Sequence, residues 1–262
     1  MYVSYQPQTK FAEIAPRGSA DAMRAPANGA QITFFTHGLC PYAQRVALAL
    51  NLKGLAHELI EIDLSNKPSW YEQRLGTSLV PAIELDGSPF TESLDICRLV
   101  DDRFTEAPAL LPKDKELRKA VEALIMHGPR LESAGWRLLG GSWSFPRKSR
   151  PSDAVRRGWE GAVDTLTTSV RQHGGPFLVG DSPTLADVAL APFIARFELA
   201  ASVCCSYDTT GELREYLDAL EALDAWRATF PERDAFGRAI SRYGSLDYFD
   251  FHTATLAQPM PE

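Results

Sequence analysis

A single cysteine stands directly before a proline in the stretch GLCPYAQR at residues 38–45. If a helix begins at Pro41, the missing N–H of that proline costs nothing at the first helical position, and Cys40 becomes the residue that caps the helix. The Cys40 sulfur then faces unpaired backbone amides and the positive end of the helix dipole, which both favour the thiolate. The pattern predicts a nucleophilic thiol; the alternative is a cysteine that only packs at a turn.

Cys40 is expected to react as an acidic thiol without a cysteine partner. Cysteines at helix starts have pKa values lowered to roughly 3.5–7.5, against ~8.5 in a free cysteine. A redox pair would place its second cysteine three residues later, where this sequence has Ala43. An oxidised Cys40 therefore needs a thiol from another molecule to release it. The remaining cysteines show neither metal spacing nor a disulfide framework, and we expect packing residues and no metal site there: Cys97, Cys204 and Cys205.

Two further dipeptides have the chemistry of a peptide-binding site. In the first, Pro81 immediately precedes a predicted strand, and a cis bond at Val80-Pro81 would turn the N–H and C=O of Val80 outward to pair with an extended peptide. In the second, Glu92-Ser93 opens a predicted helix, where a hydroxyl and backbone amides suit a carboxylate. Ordinary N-capping of that helix is the alternative interpretation of Glu92 and Ser93.

The elements that must position these residues follow a regular pattern from residue 31. An apolar strand over 32–35, a helix over 45–54 that ends at Gly54, and an alternating strand over 57–64 predict a βαβ unit with a parallel pair. From its residues alone, the stretch 65–78 is interpreted as a polar connection.

The rest of the first half predicts a hairpin and a helix. Asp86-Gly87 separates two short apolar runs, as in a tight hairpin turn. The stretch 92–104 is amphipathic at helical intervals and is expected to be a helix. The whole pattern is compact enough for one domain.

The second half contains only helical signals. Periodicity typical of helices covers 114–139, 152–173, 184–203 and 211–228, and Thr184 with Asp187 has the spacing of a capping box. Five segments are predicted: an N-terminal arm over 1–30, a first domain over 31–105, a linker over 106–113, an all-helical domain over 114–244 and a C-terminal tail over 245–262.

Composition limits the classes of partner. The 262 residues carry a net charge of −7, which argues against nucleic acid or an anionic membrane as a partner. No apolar run is expected to approach the ~20 residues that span a bilayer. The cysteine pattern favours a reducing compartment, so we expect a cytoplasmic protein, with organellar import through the N-terminal arm as the alternative.

The motifs resemble those of one enzyme family. The run from Phe34 to Phe104 resembles the thioredoxin-like domain of glutathione transferases, and the rest of the chain, including SPTLADVALAP, resembles their all-helical domain. CPYAQR is similar to the cysteine-type classes, namely omega, lambda and the dehydroascorbate reductases. NKPSWYEQ, VPAIE and ESLDI are most similar to lambda, with omega second. The resemblance implies an α/β thioredoxin-like domain of order β-α-β-α-β-β-α followed by an all-α domain.

The resemblance also implies the residues of a glutathione site. Cys40 would form the mixed disulfide with glutathione. The residues that would bind the tripeptide are Lys67 at its glycine carboxylate, the backbone of Val80 beside a cis Pro81 at its cysteinyl unit, and Glu92 with Ser93 at its γ-glutamyl end. Candidates to line a second-substrate pocket are Tyr42, Trp136, Trp143 and Arg196, with buried core as the alternative for the tryptophans.

The implied function is a glutathione-dependent thiol transferase or reductase. Glutathione is a co-substrate, the Cys40 thiolate attacks, and a second glutathione releases the mixed disulfide. The second substrate is expected to be a small electrophilic, glutathionylated or oxidised molecule, and the protein a monomer or homodimer. The alternative function is a non-enzymatic ligand-binding or assembly module on the same fold. Conjugation of electrophiles is disfavoured, because the Cys40 thiolate would compete with the glutathione sulfur.

Overall fold

The computed structural model describes residues 29, 31–64, 67–140, 150–208 and 211–243. The predicted arm (except Gly29) and the predicted tail lie outside these residues, as does Trp143. The chain divides into two compact units: Leu110–Leu223 with the segment from Asp234 onward forms the second, and the rest, including Asp224–Arg233, forms the first. The domain boundaries drawn from the sequence stay predictions.

The first unit is a four-stranded sheet with helices. Its elements are β1 (Ile32–Thr36), α1 (Pro41–Leu52), β2 (Glu58–Glu61), α2 (Ser69–Leu75), β3 (Ala82–Leu85), β4 (Ser88–Thr91) and α3 (Ser93–Arg103). The strand order is β2-β1-β3-β4, with β1 parallel to β2 and both other pairs antiparallel. The predicted βαβ unit, hairpin and helix are therefore confirmed.

The expectation of a plain connection over 65–78 is wrong, because α2 lies within it. The helix has only seven residues, too few for a clear helical period. It buries Tyr71, whose hydroxyl donates to Leu79 O at 2.8 Å, and it ends at Gly76 with φ of +68°. Its presence gives the β-α-β-α-β-β-α order that the resemblance implied.

The core of the first unit is built around β1. Phe34 and Phe35 are fully buried, and α1 packs against α3. At the end of α1, Gly54 N–H donates to Asn51 O and Leu55 N–H donates to Leu50 O, at 2.9 and 3.0 Å. These are the two bonds of a Schellman motif, and the φ of +63° at Gly54 confirms its predicted capping role.

The second unit is helical over its described residues. Its helices are α4 (Lys115–Leu138), α5 (Asp153–His173), α6 (Leu185–Cys205), α7 (Glu212–Glu221) and α9 (Arg233–Tyr243, counted in this unit from Asp234). The predicted helix over 211–228 is in fact two helices, because α7 ends before a short α8 (Asp224–Arg227) that packs against α1 in the first unit. Helical spacing alone does not show which unit a helix packs on.

The central helix of the second unit is α6. Thr184 and Asp187 form the predicted capping box at its start. The helix is long and apolar enough, by length and composition, to cross a membrane, and 89% of the apolar window is buried inside the protein. The expectation that no segment reaches this length and hydropathy is therefore wrong. The apolar character of this helix is hard to see in the sequence, because charged residues such as Asp187 and Arg196 interrupt the apolar run.

Candidate functional site

The pairing of the strands brings the predicted site residues to one edge of the first unit's sheet. Thr36 at the end of β1 pairs with Glu61 at the end of the parallel β2. Ala82 at the start of the antiparallel β3 pairs with Phe35 and with Thr91 at the end of β4. The turn to Cys40, the Val80-Pro81 peptide and the Glu92-Ser93 pair therefore all adjoin this edge.

Cys40 lies where the sequence predicted it, as the N-cap residue of α1 with Pro41 at the first helical position. Its backbone is extended, with φ of −72° and ψ of 120°, and its side chain makes no capping hydrogen bond. The Cys40 N–H donates to His37 O at 2.9 Å, which closes the turn that follows β1. Cys40 is half-buried, so its sulfur is held at a helix start without being fully covered.

The other three cysteines lie in a different environment. Cys97 is fully buried in α3, and desolvation raises its thiol pKa to about 12 against the smaller lowering effect of Arg45 and Arg98. Cys204 and Cys205 are each 2% exposed, and burial raises the pKa of Cys205. Burial of all three is typical of packing residues, and the raised pKa values of Cys97 and Cys205 favour the protonated thiol.

The turn before Cys40 rests on a half-buried carboxyl group that the sequence analysis did not identify. Glu61 Oε1 on β2 accepts from Gly38 N–H at 2.8 Å and lies 3.7 Å from His37 Nε2. Desolvation by burial raises the Glu61 pKa to about 7, although the Gly38 bond acts in the opposite direction. The sequence signal was weak, because Glu61 has the alternating spacing of any half-buried strand residue.

The Val80-Pro81 peptide bond is cis, as the sequence predicted. Val80 and Pro81 are buried, and β3 begins at the next residue, Ala82. The backbone of Val80 therefore enters the sheet beside the end of β1, which leads into the Cys40 turn.

The Glu92-Ser93 pair has an unusual backbone. Glu92 is the N-cap of α3, yet its φ is +65° and its side chain makes no capping hydrogen bond. A non-glycine residue in this region costs of order 1–3 kcal/mol, and such residues cluster at ligand sites. Ordinary side-chain capping by Glu92, the alternative drawn from the sequence, is therefore not what the structure shows.

Beneath Ser93 lies a second residue that the sequence analysis passed over. Arg45 is 6% exposed, and its Nη1 donates to Ser93 Oγ across 3.4 Å. Because Ser93 Oγ accepts from the guanidinium, the hydroxyl proton is available to donate elsewhere. The signal was present in GLCPYAQR, where Arg45 lies on the inner face of α1, five residues after Cys40.

The remaining predicted residues are spread over both units. Lys67 is half-buried just before α2. Tyr42 is 38% exposed, and the Arg45 guanidinium carbon lies 5.1 Å from its ring centre. In the second unit, Trp136 packs edge-on against Phe197 with ring centres 5.2 Å apart.

Arg196 is the most buried of the pocket candidates. It is 2% exposed, its Nη1 donates to Pro192 O at 2.8 Å, and its guanidinium lies over the Phe236 ring. These contacts give Arg196 a part in the packing of α6. Its role in a second-substrate pocket stays a prediction, as do those of Tyr42, Trp136 and Trp143.

This edge of the sheet brings together a thiol and a hydroxyl, each at the start of a helix. Cys40 supplies a half-buried sulfur at the start of α1, and Ser93 supplies a buried hydroxyl at the start of α3. The positive ends of both helices suit a thiolate and a carboxylate. In the part of the chain that the structure describes, no three metal-ligating side chains lie together.

Comparison with known proteins agrees with this geometry. Residues 34–108 match the N-terminal domain of glutathione S-transferases, and residues 152–229 match their C-terminal domain. Glutathione S-transferase L3 of Arabidopsis thaliana is 30% identical over 202 residues, which cover 74% of this chain and 80% of the relative.

Solved structures share the fold. Glutathione transferase Omega 3C of Trametes versicolor superposes with a TM-score of 0.66 at 25% identity, covering 77% of this chain and 85% of that one. The dehydroascorbate reductase of Chlamydomonas reinhardtii superposes with a TM-score of 0.60 at 23% identity, covering 78% and 94%. The thioredoxin-like first unit, the helical second unit and the matched relatives show that this chain belongs to the glutathione S-transferase family.

Proposed function

We propose that this protein is a glutathione-dependent thiol transferase or reductase that acts through the Cys40 thiolate. Glutathione is the co-substrate of the family. The observation that carries the proposal is the position of Cys40 as an N-cap residue whose side chain makes no capping hydrogen bond. A cysteine sulfur at this position lies close to the positive end of the α1 dipole, which stabilises its thiolate form.

The proposed reaction has two exchange steps. The Cys40 thiolate attacks the glutathionyl sulfur of a mixed disulfide, the Cys40–glutathione S–S bond forms, and the substrate leaves as a thiolate that takes up a proton. A second glutathione, as its thiolate, then attacks the glutathionyl sulfur on Cys40. Oxidised glutathione leaves, and the Cys40 thiolate is regenerated. The net result is that one free glutathione and the glutathionyl group of the substrate leave together as oxidised glutathione, and the rest of the substrate leaves as a thiol.

Binding of the tripeptide is assigned to the residues around that edge of the sheet. Glu92 and Ser93 would hold the γ-glutamyl end, Val80 would pair with the cysteinyl backbone, and Lys67 would reach the glycine carboxylate. The Ser93 assignment is supported by its bond from Arg45, because a hydroxyl that accepts from a guanidinium can donate its proton to a carboxylate.

Two observations bear on the substrate. Tyr42, in the first turn of α1, is exposed, so it is a candidate contact for the second substrate. The structural neighbour from Chlamydomonas is a dehydroascorbate reductase, so dehydroascorbate belongs in the substrate panel together with hydroxyethyl disulfide and a glutathionylated peptide.

The test is intact mass spectrometry after exposure to oxidised glutathione, followed by thiol-transfer assays. We expect one glutathionyl group on the wild type and none on Cys40→Ser, which should also lose thiol transfer while still binding glutathione. Cys97→Ala is the matched control, because Cys97 is buried in the same unit, and it should retain both properties. Loss of two hydrogens without a glutathionyl group would show an internal disulfide and overturn the mechanism.

A non-enzymatic binding module gives a different result in the same experiment. Such a protein would bind glutathione, yet its Cys40→Ser variant would match the wild type in every transfer assay.

A further inference from the structure

The turn that carries Cys40 is held by hydrogen bonds at three consecutive amides. Gly38 N–H donates to Glu61 Oε1 at 2.8 Å, Leu39 N–H donates to His37 Nδ1 at 3.3 Å, and Cys40 N–H donates to His37 O at 2.9 Å. The acceptors come from only two residues, His37 and Glu61. The position of the Cys40 sulfur therefore depends on both side chains.

These contacts determine the tautomer of His37. Its Nδ1 accepts from Leu39 N–H, so Nδ1 carries no proton. A neutral imidazole then has its proton on Nε2, which lies 3.7 Å from Glu61 Oε1. The ring is 2% exposed, so water does not compete for this contact. Glu61 Oε1 thus accepts a hydrogen bond from the Gly38 amide and lies 3.7 Å from the His37 imidazole nitrogen.

Glu61 is firmly placed to serve this purpose. It lies at the end of β2, directly paired with Thr36, the residue before His37. Its side chain is 21% exposed. Removing a carboxyl group from water costs free energy, and the hydrogen bond from Gly38 offsets part of that cost. Glu58, three residues earlier on the same strand, is exposed and makes only a 3.4 Å contact with Thr33 Oγ1.

We propose that Glu61 and His37 are positioning residues that hold the Cys40 turn in its reactive geometry, and that the ionised form of Glu61 is the form that does so. The proposal rests on the proposed function, since it concerns the reactivity of the same thiol. A carboxylate accepts a hydrogen bond from an amide more strongly than a carboxylic acid does. Proton uptake by Glu61 therefore weakens the hold on Gly38 and His37.

The charge state of Glu61 changes near neutral pH. Burial raises its pKa to about 7, so it is largely ionised at pH 8 and largely protonated at pH 6. The groups that face it are the His37 imidazole and the Gly38 amide, both from the β1–α1 turn. The reactivity of Cys40 should consequently show a second titration near neutral pH, separate from that of the thiol.

The test measures alkylation of Cys40 by iodoacetamide between pH 5 and 9, with the site assigned by peptide mapping. Glu61→Gln keeps an oxygen for the Gly38 amide but removes the charge and the titration. We expect a roughly fivefold lower rate at pH 8 and loss of the inflection near neutral pH. Glu58→Gln, the matched control on the same strand, should reproduce the wild-type profile. An unchanged profile in Glu61→Gln would overturn the proposal.

A second variant covers the contact from the imidazole. His37→Asn retains an acceptor for Leu39 N–H but has no group that reaches Glu61, and it should lower the alkylation rate in the same direction. Nitrogen NMR of the wild type at pH 8 should show His37 with its proton on Nε2. A proton on Nδ1 would contradict the assigned network.

Steady-state kinetics separate positioning from binding. If thiol transfer is observed, Glu61→Gln should lower kcat while leaving the KM for glutathione within about twofold. A raised KM with unchanged kcat would reassign Glu61 to glutathione binding. Because alkylation needs no glutathione, it still reports on Glu61 if Cys40 proves to catalyse no thiol transfer, and the two hypotheses therefore fail independently.

Discussion

The starts of α1 and α3 in the first unit differ from the starts of α4, α5 and α6 in the second. In the first unit, α1 begins at Cys40 and α3 at Glu92, and neither side chain makes a capping hydrogen bond. In the second unit, the side chains of Asp114, Ser152 and Thr184 accept hydrogen bonds from backbone amides at the starts of α4, α5 and α6. A capping side chain stabilises a protein by ~0.5–2 kcal/mol. The starts of α1 and α3 lack this stabilisation, and their backbone amides are not occupied by a capping side chain.

Two carboxyl groups, one fully buried and one half-buried, repeat this contrast. Asp187 is fully buried and accepts from Leu178 N–H, Thr184 N–H and Thr184 Oγ1 at 3.0, 2.7 and 3.0 Å, so it joins a loop to the start of α6. Glu61 accepts from Gly38 in the turn that leads to Cys40, the proposed nucleophile. Desolvation raises the pKa of both groups. One carboxyl group stabilises the fold, and the other supports the proposed site.

The largest expected effect is the difference in reactivity between cysteines at an open helix start and in the core. At pH 6, Cys40 should be alkylated at least a thousandfold faster than Cys97, because burial raises the Cys97 pKa to about 12 and excludes the reagent. Time-resolved alkylation with peptide mapping measures both rates in one sample. Equal labelling of Cys97 or Cys205 in the folded protein would remove the contrast.

Asp187→Ala should show how strongly the capped start of α6 stabilises the protein. It leaves buried amide donors of Leu178 and Thr184 without their acceptor, and we expect a loss of ~3 kcal/mol in the free energy of unfolding. Asp114→Ala, at the exposed start of α4, should cost only ~1 kcal/mol. Urea unfolding compares them, and equal losses would show that burial of the cap is unimportant.

The stability of the wild type should fall as pH rises through the range in which Glu61 ionises. Its folded-state pKa, about 7, is higher than the ordinary 4.5, so the folded state binds the proton more tightly. The contribution is complete below pH ~4.5 and is lost as the pH passes 7, with an upper bound of about 3 kcal/mol. Glu61→Gln should remove this slope in urea unfolding at pH 5 and 8. A parallel slope in the variant would exclude Glu61 as its source.

Ser93→Ala should affect binding more than chemistry. The proposed bond from the Ser93 hydroxyl to the γ-glutamyl carboxylate is absent in the variant, so the KM for glutathione should rise roughly fivefold and exceed the fall in kcat. Ser152→Ala removes a capping hydroxyl in the second unit and should leave this KM unchanged. An unaltered KM in Ser93→Ala would contradict its assignment to the glutathione site.

The smallest expected effect is a gain in stability when α1 is given a side chain that caps its first turn. Serine is a preferred N-cap residue, so Cys40→Ser should raise the free energy of unfolding by ~0.5–1 kcal/mol while it abolishes thiol chemistry. Thermal unfolding of the variant and the wild type at the same pH measures the difference. A destabilised variant would indicate that the sulfur contributes to packing more than the hydroxyl contributes to capping.

Much of the candidate site was predictable because it depends on local geometry. Pro41 after Cys40 predicts a helix start, and the structure places Cys40 at that N-cap. The capping box of Thr184 was also predicted from neighbouring residues, and the position of Pro81 before a strand suited the cis bond at Val80-Pro81 that the family resemblance implied. Each of these features is decided within four residues of chain, and such a signal survives in the sequence.

The features that the sequence did not reveal are of two kinds. α2 was interpreted as a connection and α8 as part of a longer helix, because helices this short leave little periodic signal. Arg45 and Glu61 were passed over because the contact partner of a charged side chain is not visible in its local sequence. Their partners, Ser93 and Gly38, lie 48 and 23 residues away.

The sequence by itself predicted Cys40 as the nucleophile, the elements of the first unit except α2, and the helical character of the second unit, because capping, turn chemistry and hydrophobic period are local properties. Only the tertiary structure decided that the ends of β1, β2 and β4 and the start of β3 meet at one edge. That pairing places a carboxyl group from β2 beneath the Cys40 turn and an α1 guanidinium beside Ser93. These contacts depend on long-range strand and helix pairing, because the partners are far apart in the sequence and the local sequence around one does not indicate the other.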